Sequence, residues 1–477
     1  MAEKPWIEIN FKQRATTALK RSERGTAILL LNDATLAGIT NSEVFSWNYT
    51  TEENNLMAEI AGSKSTTASV VKVNDDTYTE ALKMDSNANI VFNMGFDGKV
   101  VIITSATESV ANPTIKIDDI EYSVSKYGAT EIVLSAGRHT ITKGSTNTFL
   151  YCISAIKVGV NGIFTNVFKD VSEVNESYYT AENINNIKKC LKFAPYEVVV
   201  ISGSTTKLAD FVPAIKTARK TGWIASPMKE LQEDLASWIK SMERAKETYK
   251  AIGTIKGNDC KQYVYFNQNV INTNEDALNA IEYIPSLLGI ISSCNINQGC
   301  TNYLCSDLKV VEEVKDIDLA IREGQLVLTN DIGGVRIVTG INSLTTLNGN
   351  TATEDMQYIE TVEAMNLIQD DIRDEFKNTY QGKFKNKYMN QILFIGAVNS
   401  YFDALAAEDI LDEEANNIAM IDVEGQRNAW VASGNLSAKD WSDDIVKSSS
   451  FKRTVFIECS IKILNSMENL KFNVVME

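Results

Sequence analysis

The chain has 477 residues, enough for about three domains of about 150 residues each. Hydrophobic residues make up 44% and aromatic residues 8% of the sequence, which excludes a disordered chain. The formal net charge of −16 argues against direct nucleic-acid binding, because proteins that bind a phosphate backbone carry a basic surface.

The sequence predicts a protein that is made in the cytoplasm and stays soluble. Its opening, MAEKPWIEINFKQR, lacks the basic region and apolar run of a signal peptide. The longest apolar runs, such as Ala27–Leu31 and Glu197–Ile201, are far shorter than the roughly 18–20 residues of a membrane span. Seven cysteines without a secretion signal predict reduced thiols and no disulfide framework.

Residues 1–22 are predicted to form an arm ahead of the first core strand, which is expected at Thr26–Leu31. The arm begins with a short extended stretch containing Trp6, Ile7, Ile9 and Phe11. Basic residues follow at Lys12, Arg14, Lys20 and Arg21. One short amphipathic segment ahead of Gly25 has little to pack on within its own chain.

Residues 90–175 are predicted to form a small inserted β-sandwich. Short β-branched runs recur about every 8–12 residues between Asn-Pro, Asp-Asp, Gly and Ser clusters, and helical signals are missing.

Residues 176–340 alternate between strand and helix patterns, which predicts an α/β layer. Strands are expected at Glu197–Ser202, Gly222–Ser226 and Gln262–Phe266. Helices are expected at about Thr206–Lys220, Lys229–Ile252 and Glu275–Ser292, the last capped by Thr273 or Asn274.

Residues 357–406 carry two helical patterns joined through Gly382, which predicts an αα-hairpin or a broken helix. A lysine cluster near the junction is a local exception to the acidic balance: Lys377, Lys383, Lys385 and Lys387. Its two interpretations are a solvated loop and a docking patch for an acidic partner.

The last 27 residues give the clearest strand signal. Apolar residues alternate twice, first from Val455 through Ile457 and Ile461, and again through Leu470, Phe472 and Val474. Two strands are therefore predicted at the C-terminus, and a neighbouring subunit is one candidate partner for the terminal strand.

The sequence predicts no catalytic site, cofactor or metal site. His139 is the only histidine, so a two-histidine metal site is excluded. Cys294, Cys300 and Cys305 are spaced too widely for a zinc knuckle and are expected to be thiols flanking a packed turn. Neither a P-loop nor a G-x-G-x-x-G motif is present.

Four carboxylates on one helical side could in principle hold a cation or act in hydrolysis. They are Asp370, Asp371, Asp374 and Glu375. We expect a solvated helix face, since Arg373 and Lys377 are close enough in sequence to neutralise it.

The stretch Ala320–Thr346, with its LVL, VRI and INSLTT segments, resembles the family of contractile-tail sheath proteins from myophages and phage-tail-like bacteriocins. Further similarities follow in the family's order. They are Ile284–Leu288 with Gly289, the QGKFKN junction at Gln381–Asn386, the tail Ser466–Met476 and the N-terminal stretch that ends in the first core strand.

The resemblance implies a mixed α+β and α/β multidomain fold with a C-terminal α/β core, an inserted β-sandwich-like domain and strand arms at both ends. The expected divisions are 1–22 (arm), 23–89 (N-terminal part of the core), 90–175 (insert), 176–340 (α/β domain), 341–450 (C-terminal core with the helical hairpin) and 451–477 (arm).

The resemblance also implies a structural, non-enzymatic role without cofactors. Subunits would form stacked hexameric rings around a tail tube, with baseplate and tail terminator proteins as further partners, and the arms would complete sheets of neighbouring subunits. The intersubunit residues would be Trp6, Ile7, Ile9, Phe11, Val455, Ile457, Ile461, Leu470, Phe472 and Val474, and the tube-facing residues Lys377, Lys383, Lys385 and Lys387.

The expected location is a virion tail or a bacteriocin particle, assembled in the bacterial host cytoplasm. Two alternatives stay open: the sheath of a non-viral contractile injection system, and an α/β hydrolytic enzyme that uses the carboxylates at Asp370–Glu375.

Overall fold

A computed structural model describes most of the chain. The described ranges are 25–33, 42–65, 67–73, 76–94, 98–135, 137–158, 163–174, 179–194, 197–218, 221–294, 296 and 298–475.

The first strand, β1 (Thr26–Asn32), is buried along almost its whole length. Ala27 and Leu29 belong to one apolar cluster, and Ile28 and Leu30 belong to another. A continuous apolar run is typical of a central strand in a parallel sheet that is covered on both faces.

Residues 42–158 form a β-sandwich. Its strands are β2 (Ser42–Asn48), β3 (Glu53–Asn54), β4 (Glu59–Ala61), β5 (Val71–Val73), β6 (Asp76–Tyr78), β7 (Leu82–Met84), β8 (Asn89–Met94), β9 (Gly98–Ala106), β10 (Thr114–Ile117), β11 (Ile120–Ser123), β12 (Tyr127–Leu134), β13 (Gly137–Lys143) and β14 (Thr148–Val158). One sheet has the order β12-β9-β14-β2-β3, with β7 also on β14, and the other has the order β11-β10-β13-β8-β4. Alternate residues such as Ile90, Ile102 and Ile141 fill the core between them.

The sandwich begins at Ser42 and ends at Val158, not at residues 90 and 175 as expected from the sequence. Several of the early strands, including β3 and β4, have only two or three residues, too few to show alternation. Their positions are set by the strands with which they pair in the folded chain, β2 for β3 and β8 for β4.

The chain then returns to the sheet that contains β1. The elements are β15 (Phe164–Phe168), α1 (Ala181–Leu191), β16 (Glu197–Gly203), α2 (Leu208–Thr217), β17 (Trp223–Ala225), α3 (Gln232–Arg244), β18 (Lys250–Gly253) and β19 (Tyr263–Tyr265). The six-stranded order is β15-β16-β1-β17-β18-β19, with only β15 antiparallel to its neighbour. The sandwich is thus an insertion between two strands of an α/β layer.

The helix predicted at Lys229–Ile252 ends earlier than expected. α3 stops at Arg244, Lys246 adopts a left-handed conformation with φ of 59°, and Lys250–Gly253 is a strand. Burial in the parallel sheet decides this, because all four residues of β18 are buried.

A second group of elements packs on the sheet. They are β20 (Val270–Asn272), β21 (Ala277–Leu278), α4 (Ala280–Ser293), β22 (Leu308–Val311), α5 (Ile317–Arg322), β23 (Leu328–Asp331) and β24 (Gly334–Ile337). Asn279 and Glu282 form a capping box, so α4 begins later than the predicted Glu275 and is not capped by Thr273 or Asn274. Leu287 and Leu288 of α4 join the same core as Leu29 of β1.

The C-terminal elements are α6 (Ile359–Glu375), α7 (Tyr388–Ala407), β25 (Ile418–Ile421), α8 (Val423–Ala432), α9 (Asp443–Ser448) and β26 (Ile457–Ser460). A π-helical turn at Phe376–Tyr380 ends α6 and leads to the loop before α7. The predicted helical hairpin is present, and Leu367, Phe394 and Phe402 lie in its apolar core.

Candidate assembly interfaces

The C-terminal strand β26 pairs with β25 of the same chain. The register joins Ala419 to Cys459 and Ile421 to Ile457 in an antiparallel pair. Ile457, Ile461 and Ile463 pack on the apolar core of the helical hairpin. The predicted segment from Val455 through Ile461 is therefore no free arm, because its apolar face is used within its own subunit.

The hydrogen bonds around this pair of strands show in which direction the main-chain groups of each residue point. The Asn399 side chain accepts a hydrogen bond from Ala419 N (2.7 Å) and donates one to Ala419 O (3.3 Å), so Ala419 faces α7. Asp422 N donates to Phe456 O (3.2 Å), and Asp412 N donates to Lys462 O (2.9 Å). The even-numbered residues of the last segment thus point their main-chain N–H and C=O groups toward their own chain.

The odd-numbered residues of that segment consequently present their main-chain groups along an outer edge. Within the described residues, no main-chain N–H of Ile457, Cys459, Ile461 or Ile463 has a hydrogen-bond acceptor. An edge strand with unpaired N–H and C=O groups is a template for another strand. The outer edge of β25 is not available at Ala419, because the Asn399 side chain already bonds both the N–H and the C=O of that residue.

Beyond β26 the chain extends as a tail without the second predicted strand. Leu470, Phe472 and Val474 are 88%, 79% and 70% exposed, and the described tail up to residue 475 contains no strand. Isolated apolar residues at a surface are ordinary, but an alternating run of them is the pattern of a strand that lacks its partner.

Short contacts fix the start of this tail. Glu360 accepts hydrogen bonds from the main-chain N–H (3.1 Å) and hydroxyl (2.9 Å) of Ser466, and Thr301 donates to Glu468 (2.6 Å). Burial raises the pKa of the Glu360 carboxyl, although the bonds from Ser466 act in the opposite direction. The tail therefore leaves the subunit from a defined position near residue 469.

The N-terminal arm residues Trp6, Ile7, Ile9 and Phe11 lie outside the described residues, and their assignment stays a prediction. The described chain starts at Gly25, which has φ of 90° and enters β1 directly.

A groove lies where the tail departs. A cavity of about 690 Å³ adjoins a second one of about 380 Å³, and Glu354, Tyr358, Glu468 and Asn469 line both. Apolar residues of the larger cavity are Ile321, Val338, Ile341 and Leu347. We call this feature the acidic groove, because its charged lining consists of Glu354, Asp355, Glu360, Glu468 and the single cation Arg322.

The four predicted tube-facing lysines lie around the junction of α6 and α7. Lys377 is exposed in the π-helical turn, and Lys383, Lys385 and Lys387 are exposed in the following loop. Phe384 (39%) and Met389 (66%) are exposed beside them. This surface combines positive charge with apolar contact area.

The carboxylates at Asp370–Glu375 do not form a solvated face, which corrects the sequence-based expectation. Asp370 and Asp371 are 3% and 2% exposed. Asp370 accepts a hydrogen bond from Thr248 (2.7 Å) beside the six-stranded sheet, whereas Asp371 accepts one from Tyr401 (2.7 Å) of α7. They point to different neighbours and do not converge on a shared reaction centre.

Both ring nitrogens of His139 have hydrogen-bond partners. Its Nδ1 lies 2.6 Å from Asp118 Oδ2 and its Nε2 lies 2.7 Å from the Ser135 carbonyl oxygen, inside the sandwich. The part of the chain that the structure describes contains no group of three or more histidine, cysteine or acidic side chains able to hold a metal ion. In the same residues, no helix combines the length and apolar character needed to cross a membrane.

Two family models match different parts of the chain. Residues 351–477 match the family model described as phage tail sheath C-terminal domain. A tail sheath protein of Clostridium phage phiCD119 is 29% identical over 249 residues, covering 51% of this chain and 67% of the phage protein. Residues 351–477 therefore form the C-terminal domain of a phage tail sheath protein, and the phage relative extends this similarity over half of the chain.

This sheath protein is therefore a structural component of a contractile system and not an enzyme, as predicted. The predicted multidomain mixed α/β fold with a sandwich is also confirmed. A solved sheath tail protein from Desulfitobacterium hafniense is 10% identical, with a TM-score of 0.44 over 87% of this chain and 94% of that chain.

Residues 43–153 match the family model described as carbohydrate binding module 77. A solved protein of the Ruminococcus flavefaciens cellulosome is 25% identical, with a TM-score of 0.21, covering 25% of this sheath protein and 97% of its own length. The sequence patterns predicted a sandwich but not this kind of module, because its strands carry no fixed motif of reactive residues.

Proposed function

We propose that this sheath protein polymerises as stacked hexameric rings around a tail tube, and that its contraction drives the tube through the envelope of a target cell. The open outer edge of β26 together with the unpaired apolar tail supports this proposal. A subunit that offers both a strand and an edge suits polymerisation by β-augmentation.

The energetics suit a lattice that moves without coming apart. An added strand forms about four to six main-chain hydrogen bonds, each worth about 0.5–1.5 kcal/mol net. Burial of alternate side chains such as Leu470 and Phe472 adds about 25 cal/mol per Å². Strands shared between subunits hold neighbours together while the domains between them rotate, and contraction exchanges one packing arrangement for another.

The partners in this proposal are further copies of the chain, a tail tube protein, and baseplate and tail terminator proteins. The exposed lysine surface at Lys383–Lys387 would face the tube. Contacts of about 0–1 kcal/mol each are weak enough for the sheath to release the tube when it contracts. The particle would be a phage tail, a bacteriocin or a non-viral injection system, and a capsid gene beside the sheath gene would identify a phage.

Negative-stain electron microscopy of the purified full chain tests the polymer. The wild type should form striated tubes, and chains lacking residues 1–20 or 470–477 should stay folded and unassembled. Tubes formed by both truncated chains would reject the linking role of the arms, and a wild type that never forms tubes with its tube protein would reject the polymer.

A second candidate function is carbohydrate binding by the sandwich, which the match to residues 43–153 favours. The outward face of the β11-β10-β13-β8-β4 sheet supplies suitable groups. Lys116, Thr142 and Asn89 follow one another across three strands, in a row that can donate hydrogen bonds to sugar hydroxyls.

A glycan array probed with the labelled full chain tests this candidate. Lys116→Ala with Thr142→Ala should abolish any binding, while Lys99→Ala on the other sheet should retain it. Absence of binding to every glycan would remove the candidate and leave the polymer proposal intact.

A further inference from the structure

One side chain attaches the QGKFKN junction between α6 and α7 to a turn near the C-terminus, at residues 451–454. The Asn386 amide nitrogen lies within hydrogen-bond distance of three carbonyl oxygens, those of Phe451 (3.2 Å), Lys452 (3.3 Å) and Thr454 (3.0 Å). Its amide oxygen accepts a hydrogen bond of 2.7 Å from Gln391, which is 3% exposed in the first turn of α7. Two segments that are distant in sequence are thus joined through a single amide group.

The turn at residues 451–454 has a conformation that its neighbours must hold. Lys452 has φ of 41°, in the left-handed region, which costs energy for a residue with a Cβ and persists only where surrounding contacts fix it. Phe451 packs edge-on against Trp430, with ring centroids 5.1 Å apart, and the Lys452 ammonium lies 5.1 Å from the Phe451 centroid. A cation over an aromatic face is attracted to it. The position of the Lys452 ammonium group is therefore defined by the fold.

The junction and the turn together carry five exposed cations, which we call the basic platform: Lys383, Lys385, Lys387, Lys452 and Arg453. Across the described parts of the chain, none of the five forms an ion pair. The subunit therefore leaves five positive charges unneutralised on one surface, although its overall charge is −16.

Apolar side chains lie between these charges. Phe384 is 39% exposed and Met389 is 66% exposed. A surface that alternates cations with apolar groups is complementary to a protein surface that carries carboxylates among apolar side chains. A nucleic acid fits less well, because the rest of this acidic chain repels a phosphate backbone.

We propose that Asn386 is a positioning residue that joins the junction and the turn into the basic platform, and that Lys452 and Arg453 bind an acidic surface of the tail tube together with the three lysines. This inference rests on the proposed function and adds two cations to its tube contact. Charges that the fold already holds in place lose less conformational entropy on binding than charges on separate mobile loops. The junction and the turn therefore bind as one surface.

The binding of purified tail tube protein to the full chain, measured at low salt, gives the first test. Lys452→Gln with Arg453→Gln should weaken binding about fivefold, the effect of two exposed charge pairs. Raised salt should weaken the wild-type complex more than the variant complex, because fewer charges remain to be screened in the variant. Lys216→Gln with Lys229→Gln, exposed lysines outside the platform, should bind as the wild type does. Unchanged binding by the platform variant would overturn the proposal.

A double-mutant cycle tests the positioning role of Asn386. Lys452→Gln should weaken binding in the wild type but have no effect in a chain that already carries Asn386→Ala, because the turn is then no longer held against the junction. Equal effects of Lys452→Gln in the two backgrounds would show that Asn386 only supports the fold. If Asn386→Ala does not fold, Asn386→Ser, which keeps one donor, takes its place in the cycle.

The outcomes separate this inference from the proposed function. A wild type that assembles on tubes, with platform variants that assemble and bind equally well, would overturn the inference and leave the polymer intact. A wild type that neither assembles nor binds the tube protein would overturn both. Duplex DNA bound as tightly as the tube protein would assign the platform to nucleic acid and overturn the proposal.

Discussion

The buried ammonium group of Lys250 forms an ion pair with Glu363, joining strand β18 to helix α6. The Lys250 side chain is 1% exposed and also lies over the Trp223 ring, 5.0 Å from its centroid. Nearby, Gln262 and Asn366 exchange two side-chain hydrogen bonds of 2.7 and 2.9 Å. The C-terminal helices are thus attached to the six-stranded sheet through a buried polar seam.

Replacement of Glu363 by alanine should lower the free energy of unfolding by about 3–5 kcal/mol, because it leaves a buried ammonium group without its carboxylate. Urea denaturation followed by tryptophan fluorescence measures this. The control is Glu323→Ala, which removes the exposed partner of Lys256 and should cost at most about 1 kcal/mol. Equal losses in the two variants would contradict the role of burial.

Replacement of Cys459 by proline should block tube formation without unfolding the subunit. The main-chain N–H of Cys459 points away from β25, so proline at this position removes an outward donor and breaks no hydrogen bond inside the chain. Electron microscopy scores the tubes, and the thermal transition should move by only a few degrees. Cys459→Ser keeps the N–H and should assemble, and tubes of the proline variant would show that this edge stays unpaired in the polymer.

Replacement of Lys383, Lys385 and Lys387 by glutamate should impair assembly of the extended sheath on tubes. The lysines are exposed, so the change reverses a surface charge and leaves the core intact. A co-sedimentation assay with the tube protein measures the loss. A matched reversal at the exposed residues Lys216, Lys229 and Lys315 should have little effect on co-sedimentation. Normal assembly of the first variant would reject the tube-facing assignment.

Acid should weaken the contact between Asp259 and the turn at Thr345–Thr346. Burial acts to raise the pKa of Asp259, but hydrogen bonds from the N–H groups of Thr345 (2.8 Å) and Thr346 (2.9 Å) outweigh it and lower the pKa to about 2. The unfolded value is near 3.8, so the carboxylate stabilises the fold above about pH 4 and loses this contribution as pH falls toward 2.

Asp259→Asn should therefore cost about 1–2 kcal/mol at pH 7, after allowance for solvent screening at this half-buried site. The difference from the wild type should shrink between pH 4 and pH 2 in urea titrations. A pH-independent difference would mean that charge does not contribute to the contact.

Local patterns predicted the elements that local residues define. The alternation around Ile457 predicted β26, and the periodicity of α6 and α7 predicted the helical hairpin. The INSLTT segment at Ile341–Thr346 carried the family resemblance, and in the structure Asp259 and Cys260 hold this segment in place. The Ser343 hydroxyl donates a hydrogen bond of 3.0 Å to the Cys260 carbonyl oxygen, and the Thr345 N–H donates one of 2.8 Å to Asp259.

Patterns failed where a distant partner decides the outcome. Lys250–Gly253 continued a helical sequence pattern, yet parallel neighbours on both sides made it a strand. Asp370 and Asp371 had the sequence of a solvated helix face, yet Thr248 and Tyr401 bind them in the interior.

By itself the sequence determined the sheath family, the mixed α/β class and the absence of nucleotide-binding motifs, because these follow from residue types and their spacing. Only the tertiary structure decided that β26 uses one edge for β25 and leaves the other open, and that the acidic groove forms beside the tail. Both depend on residues more than 30 positions apart in the chain, such as Ala419 with Cys459 and Thr301 with Glu468, which meet only when the whole chain is folded.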